Sequence, residues 1–497
     1  VPEALSVKAL GFNPRSMIKP HIASRSDDLW NNRHRINMLK LSLCDINFKG
    51  ERLDHGVKPW LLNKVAPRQL IMKRLAMRNH LVLIVALLAT PCSAQNTRQD
   101  IWDVEKLSKP PQMEWLDSKS QIRSLTFTGP EHQGKPTEVF AFYATPGTLA
   151  GDTSMDKNLP AVVCLHGGGG TAFAEWVNIW AKRGYAAIAL DFSGSKVSNT
   201  KFDEKTGELI IEKNHRNIKR PRLSAGGPNH GNQEKFGNAG GDITDDWQYH
   251  AVSNILLAHS LIRSFPEIDA ERTAVTGISW GGYLTCLSAS VDTRFKAAVP
   301  VYGCGFLYEG ESVQKPSIDR LPEEQRKQWI EMYDPSSHLV NCTVPILFVN
   351  GTNDIHYPLN SYMKSYQAVP GEKNMRIEVN MRHGHSPGWE PSEIEAFIAS
   401  KINAGKPLAK IAKPQGRDGT AVATVDTDVA LQKAEFHWTT DTGLLSKRKW
   451  NTKPAKHDGN SNVTFDAVSE DATIWYFTAI DQRGEMTSSE MVFADQQ

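Results

Sequence analysis

The segment Gly277-Ile278-Ser279-Trp280-Gly281-Gly282 is the stretch of this chain best suited to chemistry. It has the form G-x-S-x-G, in which a serine occupies a sharp turn from a strand into a helix. Small residues two positions away on either side permit that turn. The hydroxyl then stands clear of the sheet at a helix N-terminus, where developing negative charge is favoured. The context is as required, because Thr273-Ala274-Val275-Thr276 reads as a strand and residues 283–290 read as a helix. Ser279 is therefore the candidate nucleophile for acyl transfer; the bland alternative is a glycine-rich strand–helix turn.

A serine hydroxyl needs a base, and the base needs an orienting acid. Downstream, the buried strand-like run Pro345–Val349 enters Asn350-Gly351-Thr352-Asn353-Asp354. A carboxylate just past a strand end is well placed to reach a histidine, so Asp354 is the candidate acid, with a plain Asx-turn aspartate as the alternative. The next strand-like run, residues 376–379, leads into Asn380-Met381-Arg382-His383-Gly384-His385-Ser386. His385 follows a glycine that permits a tight turn toward the serine, so it is the expected base. His383 is the alternative base, and whichever of the two is not the base is expected to hold the loop or line the pocket. His215, His230 and His356 are read as surface or pocket residues.

A tetrahedral intermediate needs donors for its oxyanion. One is the backbone N–H of Trp280, next after the serine; the second is expected from the loop after an early strand. Ala161–Leu165 is followed by His166-Gly167-Gly168-Gly169-Gly170, which places the donor at Gly168 with Gly169 as its neighbour. A phosphate-binding loop is the competing reading, but no Gly-Lys-Ser/Thr follows. Nothing in this chemistry calls for a metal or an organic cofactor. Cys164, Cys286, Cys304 and Cys342 lack metal-ligand spacing and read as buried free thiols.

The elements that must position these residues alternate. Strand-like runs at 124–128, 139–144, 161–165, 186–191, 273–277, 297–301, 345–349 and 376–379 are interleaved with helical stretches at 247–264, 281–290, 322–332 and 392–401. This alternation predicts an α/β fold with a mostly parallel sheet and helices on both faces. Residues 193–245 break the rhythm. They are long, polar and follow a strand ending at Asp191, so they read as a substrate loop over the carboxyl ends of the sheet. After Gly405 the texture changes: 406–416 reads as a linker, and 417–497 as a small all-β sandwich with strands near 420–425, 434–439, 462–465, 473–478 and 490–493.

The 497 residues, 40% hydrophobic and 23% charged, allow two or three domains and exclude collagen-like, disulfide-dense or mainly disordered chains. The net charge of +2 averages unlike parts, because residues 1–94 hold 15 Lys and Arg against 6 Asp and Glu while the remainder holds 42 against 49. A mildly acidic body gives no electrostatic reason to expect a nucleic-acid partner. Leu81–Ala89 is a short apolar run after Lys73, Arg74 and Arg78 and before Cys92-Ser93-Ala94. It reads as a signal peptide over Met72–Ala94, cleaved after Ala94, too short to remain as a membrane anchor. The body, 95–405 for the first domain, is thereby expected to be secreted or periplasmic, and residues 1–71 read as a non-native upstream extension.

With these motifs in place the chain resembles the α/β-hydrolase superfamily. It looks most like secreted esterases of the acetyl xylan esterase and dienelactone-hydrolase-like groups, which border the prolyl-oligopeptidase-type catalytic domain. The resemblance runs from about Leu116 to Leu408 and rests on His166–Gly170, Gly184–Asp191, Gly277–Tyr283, Asn350–Pro358 and Met381–Trp389. It implies Ser279, Asp354 and His385 as nucleophile, acid and base. Dienelactone hydrolases use a cysteine nucleophile where this elbow carries Ser279, which speaks against dienelactone as substrate. The tail resembles the immunoglobulin-like sandwiches appended to some secreted hydrolases. The expected function is a secreted serine carboxylic-ester hydrolase acting on a small ester or acylated carbohydrate, with no cofactor. A serine peptidase on the same triad is the alternative, disfavoured because too few residues separate Gln95 from the first strand for a β-propeller. A catalytically silent binder of a cell-wall polymer is the second alternative.

Overall fold

The computed structural model describes residues 101–231, 235–417 and 419–494. The expected upstream extension and signal peptide lie outside the described residues. The first part of the described chain is built on nine strands: β1 (Met113–Asp117), β2 (Arg123–His132), β3 (Lys135–Ala144), β4 (Leu159–Leu165), β5 (Ala186–Leu190), β6 (Ile268–Ile278), β7 (Ala297–Val301), β8 (Ile346–Gly351) and β9 (Lys373–Glu378). They lie side by side in the order β1-β2-β3-β5-β4-β6-β7-β8-β9. The pairs from β5 through β4 to β9 are parallel, and β1, β2 and β3 add antiparallel pairs at one side. This is the α/β-hydrolase fold.

The interior strands are continuous apolar runs because helices cover them. Ala186–Leu190 and Ala297–Val301 are buried at every position. The connecting helices are α1 (Ala174–Lys182), α2 (Trp247–Arg263), α3 (Trp280–Val291) and α4 (Leu359–Ala368), with α5 (Ser392–Ile402) after β9. Register determines what these strands deliver. Leu165 pairs with Leu190 and with Gly277, Ile278 with Val301, and Val301 with Val349. The strands therefore end in one row, and the segments beginning at His166, Asp191, Ser279, Tyr302 and Asn350 all emerge along one rim. Convergence at that rim is a consequence of strand pairing, not of separate folding of each loop.

Two strands were not legible in the sequence. β1 is half-exposed and interrupted by Glu114 and Asp117, so it carries no apolar run. In the tail, Asn451–His457 is a strand with two lysines and a proline, exposed along most of its length. Pairing with both neighbours stabilises it rather than burial, which is why its polar sequence reads as loop.

The tail is an antiparallel sheet curled over its own core, a sandwich in which Phe436, Phe465, Trp475 and Phe477 are buried together. The expected linker 406–416 is instead ordered structure, with strands at Lys410–Ile411 and Gln415–Arg417. The Arg483 guanidinium holds the carbonyls of Lys406 and Pro407 at 2.9 and 2.8 Å, and Leu408 and Ala409 are buried. The sandwich seals the outer strand of the first sheet. Ser488 Oγ accepts from Ile377 N–H at 2.8 Å, Asn374 Nδ2 donates to Ala409 O at 2.9 Å, and Leu445, Tyr476 and Met491 join the main core. An exposed edge is thereby covered. Among the described residues, Cys164, Cys286, Cys304 and Cys342 are buried and carry no disulfide.

Candidate active site

Ser279 has φ +60° and ψ −118°, a strained backbone for a residue with a side chain. Neighbouring strands enforce it: Ser279 N–H donates to Val301 O at 2.8 Å. The flanking glycines are steric requirements. A Cβ at Gly277 would lie 2.1 Å from Gly281 O, and one at Gly281 would lie 1.9 Å from Leu165 O. The expected pattern of small neighbours thus has a direct cause, since β4 and the first turn of α3 approach backbone to backbone.

The base position belongs to His383, not to His385 as the tight-turn argument expected. His383 Nε2 is 3.0 Å from Ser279 Oγ, and its Nδ1 is 2.6 Å from Asp354 Oδ2. The Asp354 side chain is 2% exposed and that of His383 27%. The other Asp354 oxygen accepts the N–H groups of His356 at 2.7 Å and Tyr357 at 2.9 Å. The carboxylate is therefore pinned by its own turn while it holds the imidazole. Asp354 stands where the sequence placed it, and the Asx-turn reading is also true of it.

Gly384 is extended, with φ 171° and ψ 169°, and does not turn His385 onto the serine. His385 opens a short helical turn, His385–Trp389, and its ring packs 4.7 Å from Phe173. Its Nε2 accepts the N–H of Gly167 at 3.0 Å. Burial, reinforced by neighbouring histidines, pushes its pKa down to about 3. Among the described residues no carboxylate is bonded to it, so it lacks the partner an active base requires.

Tyr302 was not singled out by the sequence, and it shapes the base. It begins the segment after β7, has φ +54° and is fully buried. Its ring lies 4.5 Å from that of His383 at 29°, and its hydroxyl donates to Arg382 O at 2.6 Å. His356 flanks the base from another side, 4.7 Å away.

The glycine run 167–170 faces the elbow. Gly168 N–H has no partner among the described residues, as the oxyanion expectation requires. Gly169 does not share that role, because its N–H donates to His230 Nε2 at 3.0 Å. Gly170 N–H donates to Gly167 O at 3.0 Å. Trp280 is the first residue of α3, so its N–H has no acceptor within the helix. Its indole lies under Gly168, where an added Cβ would come within 3.0 Å of it.

The loop 193–245 reaches this rim. Asp191 anchors its start by accepting from Ser193 N–H at 2.8 Å and Ser195 N–H at 2.9 Å. Farther on, Arg220 Nη1 donates to the carbonyls of Gly169 and Gly170. The loop also carries a small hairpin, Lys201–Phe202 with Leu209–Ile210, which walls a cavity of about 140 Å³ with Phe173, Glu175 and His215. Among the described residues, no group of three or more His, Cys, Asp or Glu is arranged to hold a metal ion.

Comparison with known proteins follows this geometry. Residues 226–400 match the prolyl oligopeptidase family. The "Uncharacterized peptidase YuxL" of Bacillus subtilis is 24% identical over 270 residues, covering 50% of this chain and 34% of that protein. The chain thus spans about a third of the length of the curated relative it matches. Among solved structures, the acetyl xylan esterase from Paenibacillus sp. R4 is 22% identical, with 60% of this chain and 92% of that one covered at a TM-score of 0.45. The acylaminoacyl peptidase of Pyrococcus horikoshii is 17% identical, with 59% and 44% covered at a TM-score of 0.40. Residues 226–400, about a third of the chain, are thus similar to the prolyl oligopeptidase family, and the nine-stranded sheet has the α/β-hydrolase fold.

Proposed function

We propose that this protein is an exported serine carboxylic-ester hydrolase that removes small acyl groups, such as acetyl, from a carbohydrate. The observation that carries the hydrolase reading is the relay Ser279–His383–Asp354 at 3.0 and 2.6 Å. Ser279 Oγ attacks the acyl carbon as His383 Nε2 takes its proton. The oxyanion lies against the N–H groups of Gly168 and Trp280. His383 then protonates the leaving alcohol, and water hydrolyses the acyl-enzyme by the same base. Asp354 orients His383 and stabilises the imidazolium. Export rests on the pattern at Met72–Ala94, and amino-terminal sequencing of the native protein beginning at Gln95 would support it.

Among the described residues, the strands between Met113 and Ser279 belong to the central sheet or to one small hairpin. A serine peptidase on the same residues is the second reading, favoured by the family match over 226–400. Acetylated xylan, p-nitrophenyl acetate and aminoacyl-p-nitroanilides assayed side by side separate the two. Higher kcat/KM on the acetyl esters, abolished in Ser279→Ala, is the expected result. Higher kcat/KM on the anilides would replace the ester reading with the peptidase one.

A further inference from the structure

His385 and His230 come from distant parts of the chain, and among the described residues neither is hydrogen-bonded to Ser279. Yet both put an imidazole nitrogen on the glycine run. His385 Nε2 accepts from Gly167 N–H at 3.0 Å, and His230 Nε2 accepts from Gly169 N–H at 3.0 Å. The N–H between them, that of Gly168, has no partner among the described residues. The carbonyls are held as well. His166 Nδ1–H donates to Gly167 O at 2.8 Å, and Arg220 bonds the carbonyls of Gly169 and Gly170.

The fit is close. A Cβ at Gly170 would lie 2.7 Å from His385 Nε2, so the ring and the loop are packed against each other. The tautomer of His230 is fixed by Asn229, whose Oδ1 lies 2.9 Å from His230 Nδ1 and takes that proton, which leaves Nε2 as an acceptor. Gly169 has φ +70°, a conformation the loop needs in order to turn its N–H toward His230.

We propose that His385 and His230 are positioning residues that clamp the glycine loop through alternate N–H groups, so that the N–H of Gly168 is held ready for the substrate's carbonyl oxygen. A flexible glycine run has many conformations, and a donor is effective only when it is fixed where charge develops. Without the two acceptors, Gly167 and Gly169 N–H would compete for the same oxygen or seek water, and the loop would lose its single geometry. The proposal rests on the serine-hydrolase reading above, and it assigns to His385 a role in place of the general base.

The test pairs substitutions that keep and remove the acceptor. His385→Gln and His230→Gln keep an oxygen at the reach of Nε2; His385→Leu and His230→Leu do not. With p-nitrophenyl acetate, each Leu variant is expected to lower kcat roughly 10- to 100-fold with KM within about twofold, less than the loss of an oxyanion donor itself. Each Gln variant is expected to recover most of that loss. Equal kcat in the Gln and Leu variants, or wild-type kcat in the Leu variants, overturns the clamp. Should a Leu variant fail to fold, Asn at the same position substitutes for it, since its carbonyl is too short to reach; Asn matching Gln overturns the proposal equally. Ser279→Ala run alongside separates the two levels. If it retains turnover, the hydrolase reading fails; if it is inactive while the Leu variants are not impaired, only the clamp fails.

Discussion

The two sides of the rim use the same residue type in opposite ways. On the serine side, His383 is partly exposed and bonded to a buried carboxylate that fixes its orientation. On the glycine side, His385 and His230 are bonded to backbone N–H groups, and burial pushes them down to about 3 and about 4. On the proposed mechanism one side passes a proton, while on the other burial holds the rings neutral. His383 and His385 are separated by a single glycine, so the difference lies in what each ring meets and not in the local sequence.

The largest expected effect tests that division directly. His383→Ala should lower kcat/KM on p-nitrophenyl acetate by about 10⁴-fold or more, as loss of a triad base does. Asp354→Asn should cost about 10⁴-fold by leaving His383 in the wrong tautomer. His385→Ala should stay within about 10²-fold, because it disturbs donor placement and leaves the proton relay intact. Equal losses at 383 and 385 would erase the distinction between the two sides.

The nucleophile was legible because a steric constraint lies behind it: a Cβ added at 277 or 281 would lie within 2.5 Å of a backbone oxygen, so only glycine fits at either position. The acid was legible because a strand end in a parallel sheet points one way. The base was not, since a glycine between two histidines does not say which ring meets the serine, and Gly384 is in fact extended. Phe173, some two hundred residues earlier, supplies the apolar surface that draws His385 away. Likewise Gly168 was recognisable as a donor, whereas the removal of Gly169 from that role depends on His230, which reaches it from the long loop. The sheet interior was readable from its apolar runs. The polar strand 451–457 and the ordered segment 406–416 were not, because pairing and docking onto β9 hold them instead of a pattern of their own.

A second, smaller effect follows from the neutral side. A histidine held below its ordinary value of 6.5 binds fewer protons folded than unfolded. Its cost to stability is absent above about pH 6.5 and grows as pH falls toward the folded value, by at most about 1.4 kcal/mol per pH unit for each such group. His250 and His437, both down to about 4 through burial, contribute in the same direction. Urea unfolding at pH 7.0, 5.5 and 4.5 should therefore show falling stability, and His385→Gln should flatten that slope. An unchanged slope in His385→Gln would mean that this ring is not held neutral, and the contrast between the two sides would narrow.

The smallest effect concerns what keeps the charged side in place. Tyr302 holds His383 by a ring face and by a hydroxyl that reaches Arg382 O, and its backbone sits at φ +54° to do so. Tyr302→Phe keeps the ring and removes the bond, at a cost of about 1 kcal/mol. Because the Asp354 bond still orients His383, kcat should fall only about fivefold, with KM and the pH profile of kcat unchanged. A shift in that pH profile would show that the hydroxyl tunes the base itself and does more than seat it. A loss larger than that of His385→Leu would place the main determinant of geometry on the serine side beneath the base, in the strained turn after β7, and not in the Asp354 carboxylate.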